Sequence, residues 1–178
     1  MYKVIAFMSL IVVLALVNWS IYKKEQHIEN GTVVYLKLAP VDPRSLMQGD
    51  YMALRFDMAR KIYDKLPKKE NHYSWRHNAD AKDGKVVVRL NEKGIASFVR
   101  LSKGEALKEN ELLLDYRVRK GAVKFATNAF FFEEGSAKKY EKAKYGEFRV
   151  NSDGELLLVE LLDRELNLLS KKTDIPKL

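Results

Sequence analysis

PVDPRSLMQGDYMALRF, residues 40–56, is the stretch whose reading decides the fold. It begins where one apolar run ends and finishes inside another. Pro40 and Pro43 fix φ and remove backbone donors, so Asp42-Pro43 ends the strand before it. Gly49-Asp50 is a turn signal that launches the next strand. From Tyr51 the side chains alternate. Met52, Leu54 and Phe56 share one face while Tyr51, Ala53 and Arg55 share the other, the period of a half-buried strand. A stiff connector of this composition is either a structural corner or a binding loop. In the first role, Arg44 bridges to Asp50 and a carboxylate such as Asp42 accepts backbone N–H groups. In the second, Arg44 and Tyr51 face a partner. The structural role is the one expected.

On either side of this stretch the pattern stays β-rich. Residues 32–38 (TVVYLKL) form the preceding strand by their β-branched and aromatic content. Downstream, Asp57 is placed to cap a short amphipathic helix with Ala59, Ile62, Tyr63 and Leu66 on one face, stopped by Pro67. Residues 68–84 read as a polar loop. Residues 85–90 and 95–101 form a hairpin across Asn91-Glu92-Lys93-Gly94. Residues 111–119 alternate, with Leu112, Leu114, Tyr116 and Val118 inward, and Lys120-Gly121 turns into an apolar segment over 122–132. Glu133-Glu134-Gly135-Ser136 introduces a second short helix over 137–144, its acids at the end that the helix dipole favours. Residues 145–150 and 155–162 pair across Asn151-Ser152-Asp153-Gly154. The fold class is α+β: a mainly antiparallel β domain over residues 32–165 with two short helices, followed by a tail over 166–178.

The N-terminus has a different character. Residues 4–17 carry no charge, and the apolar run extends through Trp19 to Tyr22, close to the ~20 residues a helix needs to cross a hydrocarbon core. Trp19 and Tyr22 are placed as interfacial aromatics, and Lys23-Lys24 closes the segment. Small residues at cleavage-site spacing are poorly represented, so residues 1–22 read as an uncleaved signal anchor rather than a leader peptide or a buried core helix. Residues 23–31 read as a polar linker ending in a turn at Asn30-Gly31. Positive charge flanks both ends of the anchor and sets no orientation by itself. The expected arrangement is a cytoplasmic N-terminus with the domain outside.

The chain has 178 residues, no cysteine and a formal net charge of +8 from 32 basic and 24 acidic residues. The missing cysteine excludes disulfides, thiolate zinc sites and a cysteine nucleophile. The charges are mixed along the chain without a basic arm, which points to a solvated surface and away from nucleic acid.

Gly49-Asp50-Tyr51-x-x-Leu54-x-Phe56 resembles the signature of the GDYxxLxY proteins, membrane-anchored bacterial proteins of unknown function. The preceding Pro-x-Asp-Pro-Arg run, the Phe-Phe-Glu-Glu-Gly segment and the hairpin opened by Tyr145-Gly146 support the match over most of residues 32–162. One departure is Phe56, where the family's last tyrosine stands; it keeps a ring and lacks the hydroxyl. The resemblance implies a single-pass protein of the cytoplasmic membrane with an extracytoplasmic, periplasmic domain. It also implies a polytopic membrane protein as partner, because such proteins tend to be encoded alongside. It supplies no activity. The motif residues singled out for interaction are Asp42, Pro43, Arg44, Gly49, Asp50, Tyr51, Leu54 and Phe56.

Gly-Asp-Tyr before an apolar strand is also similar to bacterial signal peptidases, which pair a serine nucleophile with a lysine base. The positions upstream of the motif are Leu38, Ala39, Pro40 and Val41, and Ser45 lies inside it, where a turn role suits it better. His72 and His77, with Asp80 and Asp83 nearby, have the composition of a solvated loop rather than a metal site. Glu133 and Glu134 are adjacent and point opposite ways on a strand, so they make no acid/base pair. Phe130-Phe131-Phe132 reads as core with one exposed ring, or as an apolar patch for a membrane or partner. The expectation is a non-enzymatic accessory or binding protein without cofactor or metal. The alternatives are an envelope hydrolase of peptidase-like architecture or a lipid- or glycan-binding module.

Overall fold

In a computed structural model of the chain, the described residues are 2–39, 47–48, 51–66, 81–127 and 129–170, without the side chains of Met47 and Gln48. Helix α1, Tyr2–Asn30, carries the apolar run and is long and apolar enough to cross a membrane. It continues without a break through the residues read as a linker. Glu25, Gln26 and Glu29 sustain helix, and an existing helix extends at little cost, so polarity alone does not end it. Asn30 Nδ2 donates to Gln26 Oε1 one turn back (2.6 Å).

Three antiparallel sheets follow. Strands β1 (Thr32–Lys37), β9 (Tyr145–Val150) and β10 (Leu156–Leu162) form one, in the order β1-β9-β10. Strands β2 (Met47–Gln48), β3 (Tyr51–Ala53) and β8 (Ala129–Phe131) form a second, with β3 central. The third runs β5-β4-β6-β7 from β4 (Lys82–Leu90), β5 (Ala96–Leu101), β6 (Glu111–Arg119) and β7 (Ala122–Lys124). Among the described residues, helix α2, Asp57–Lys65, and the single turn α3, Ala137–Tyr140, are the helices of the domain. The α+β, mainly antiparallel reading holds. One core joins the sheets: Val34, Leu36, Ile62, Val86, Leu114, Phe125, Phe148 and Leu161 are wholly buried within it.

Several local expectations are corrected. Asp57 is the first helical residue of α2, behind an extended Phe56, and makes no cap. Met58 joins Ile62 and Leu66 on the buried face, with Ala59 and Tyr63 only partly covered. Strand β4 starts at Lys82 because its ladder with β6 runs back to Lys82↔Val118, and this pairing overrides polar local sequence. Residues 122–132 do not form one edge. β7 returns on β6 through Lys120 and Gly121, both at positive φ, whereas β8 pairs with β3 in another sheet. The helix expected over 137–144 is one turn, with no acid in it for a dipole to favour. The chain instead straightens so that the Lys144 N–H can donate to the Leu162 carbonyl (2.8 Å). The start of the tail is folded as well. Asp163 Oδ1 accepts from the Glu165 and Asn167 amides, and the chain returns along β10 with Leu168 opposite Leu162.

Candidate functional site

The signature strand splits between core and surface. Asp42, Pro43, Arg44, Ser45, Gly49 and Asp50 lie outside the described residues, as do His72, His77 and Asp80. Leu54 and Phe56 are buried. The Phe56 ring meets Phe125 and Phe148 edge-on, with centroids 5.6 and 5.7 Å away, and its backbone bridges Leu38. Tyr51 is half-buried on β3, opposite Phe131 on β8, and the two rings pack at 5.7 Å. Phe131 is 75% exposed, while Phe130 and Phe132 turn inward onto Tyr140 at 5.0 and 5.1 Å. The three consecutive phenylalanines therefore divide into two that anchor α3 and one presented to solvent beside the signature tyrosine. The family model described as GDYXXLXY protein matches residues 13–161, from within the apolar helix almost to the end of β10. The chain belongs to the GDYXXLXY family. No curated protein and no solved structure matches it.

A second constellation joins the apolar helix α1 of this GDYXXLXY protein to its domain. His27, taken from sequence as a linker residue, is buried; its Nε2 lies 3.0 Å from the Arg149 carbonyl and its Nδ1 3.8 Å from Glu155. One turn earlier, Lys24 donates to Glu155 (2.6 Å). That hydrogen bond is the main reason the Glu155 carboxyl is held below the ordinary glutamate range. Gly31 follows directly. A Cβ there would lie 2.5 Å from the His27 carbonyl oxygen and 3.0 Å from the Arg149 Cβ, so only glycine lets the helix end this close to β9.

The third constellation is an open groove of about 750 Å3 lined by residues of β10 and of strands β4 and β6. Its walls are Asp83 and Lys85 of β4, residues 115–117 of β6, Ala126 and Thr127 after β7, and residues 155–158. Most charges on the walls are already engaged. Lys85 pairs with Asp115 (2.7 Å), Asp83 with Arg119 (2.7 Å), and Arg117 donates to the Ala126 carbonyl (2.7 Å). Tyr116 stands over Gly84 on the facing strand, where a Cβ would come within 2.6 Å of its hydroxyl. Burial pushes the Tyr116 phenol up from its ordinary pKa.

A buried carboxylate lies further along the same sheet. The Glu111 side chain is fully covered and accepts from Arg100 (2.9 Å), Arg89 (3.4 Å) and the Lys108 amide (3.1 Å), tying β4, β5 and β6 together. The Lys108 amide and then the two guanidiniums hold its carboxyl below the usual range against the opposing effect of burial. Among the described residues, no three His, Asp or Glu side chains are grouped to hold a metal ion. Sequence reading missed the groove, the Glu111 cluster and the role of His27. Glu111 carried no signal of its burial, because alternation puts it on the face opposite Leu112 and Leu114, together with Asp115.

Proposed function

We infer that this GDYXXLXY-family chain is a single-pass accessory protein of the cytoplasmic membrane. Its domain lies on the extracytoplasmic side and works by binding an integral membrane partner. One observation carries the reading. The signature segment buries Leu54 with Phe56 and yet leaves the Phe131 ring of the adjoining strand open beside Tyr51. An exposed aromatic backed by a packed partner is the kind of side chain that anchors protein interfaces. The rest of the architecture agrees. The apolar half of α1 has every side chain exposed, as lipid contact requires, and its polar half is held against the domain by Lys24 and His27.

The full chain, recovered by affinity from detergent-solubilised membranes, is expected to bring down a polytopic membrane protein. Phe131→Ser is expected to lose that protein while retaining the fold. Recovery of no membrane protein above background with the unaltered chain would sink the reading.

A further inference from the structure

Among the described residues β10 is an edge strand, held at both ends and without a strand neighbour on its outer side between them, its register with β9 shifting between Leu158 and Glu160. At one end, the Asp115 amide donates to the Gly154 carbonyl (2.8 Å), clamping the β9–β10 turn onto β6. At the other, the Leu169 amide donates to the Leu161 carbonyl (3.0 Å) and Leu168 faces Leu162. The turn sets the ladder phase, because the Asn151 amide donates to the Glu155 carbonyl (3.1 Å). Antiparallel pairs alternate, so Leu157 exchanges hydrogen bonds with Arg149 while the amides and carbonyls of Leu156 and Leu158 point away from β9. These groups face the groove and have no partner among the described residues.

The charges around them are largely satisfied internally, which argues against a phosphate or another compact ion. What the groove leaves unsatisfied among the described residues is a short run of alternating backbone donors and acceptors, with Tyr116 also in its lining. The complement of that pattern is another polypeptide backbone in extended form. A volume near 750 Å3 lies in the range of ligand sites. We propose that the edge of β10 over Leu156 and Leu158 accepts an extended segment of a partner polypeptide as an added strand. The site lies on different sheets from Phe131 and does not depend on that face.

The test screens the full chain in nanodiscs against a displayed library of random heptapeptides, then maps amide exchange with the enriched peptide bound. Exchange at Leu156 and Leu158 is expected to slow at least tenfold, with Leu157, already bonded to Arg149, little changed. Leu158→Pro removes an amide that makes no bond to β9, and is expected to weaken peptide binding at least tenfold; Phe131→Ser is expected to leave it unchanged. The exchange map on the unaltered chain decides the question even where the proline variant fails to fold. Four results overturn the proposal: no peptide enriched over empty nanodiscs, protection that maps elsewhere, full protection in the peptide-free monomer, and protection that rises with protein concentration alone. The last would place a second copy of the chain on the edge.

Discussion

Phe56→Ala is expected to lower stability by about 3–5 kcal/mol, because it removes a ring enclosed by Phe125 and Phe148 with no room for solvent to follow. Phe131→Ser, in the same part of the molecule, is expected to change stability by less than about 0.5 kcal/mol, since its ring is already in water. Urea unfolding of the two variants measures the contrast, and equal losses would contradict the assigned burial. The signature thus mixes two physical demands. Leu54 and Phe56 serve packing, and at Phe56 an aromatic ring suffices without the hydroxyl of the family's tyrosine. The alternation read from residues 51–56 was enough to separate the buried face. Which of three identical phenylalanines stays outside could not be read, because it depends on where Tyr140 arrives from α3.

At the scale of elements, the junction between α1 and β1 is the feature least like its sequence. A polar run after an apolar helix is ordinarily a tether, and here it is a stalk fastened to the sheet by His27 and Lys24. Gly31→Ala is expected to force the helix end away from β9 and cost about 1–3 kcal/mol, as overfilling a close-packed contact does. Spin labels on α1 and β5 of the full chain should then show a broadened distance distribution. An unchanged distribution with unchanged stability would show that the stalk is not held by this contact. The fastening is invisible in composition because Glu155 and Arg149 lie more than a hundred residues downstream of Lys24 and His27.

For the domain as a whole, four carboxylates among the described residues shape the acid limit. Glu105, Glu111, Glu155 and Asp163 all have folded pKa values below their ordinary ones: Glu105, Glu111 and Asp163 chiefly through backbone amides, Glu155 through Lys24. A carboxyl with a depressed folded pKa binds protons more readily when unfolded. Its stabilisation is therefore complete above the unfolded value, about 4.3 for glutamate, and is lost as pH falls through the folded one. The unfolding midpoint is expected to be flat above about pH 5 and to fall steeply below about pH 4. Glu111→Gln is expected to lower stability at neutral pH, by leaving Arg89 and Arg100 without their carboxylate, and to flatten the acid limb. A variant with an unaltered acid limb would remove Glu111 from this role.

Periodicity and punctuation carried most of the architecture. The apolar helix, the strand over 111–119, the hairpins closed by Asn91–Gly94 and Asn151–Gly154 turns, and the signature strand are all local patterns, set by side-chain alternation and turn chemistry within a few residues. That information is local because one buried face per strand is enough to impose it. The fold alone decided where strands end and what they meet: β4 extended into polar sequence by its ladder with β6, β7 and β8 were parted into different sheets, and the helix was carried through its polar half onto β9. It alone also made the groove, because its lining residues come from β4, β6 and β10, and segments so far apart in the chain leave no joint pattern in the sequence.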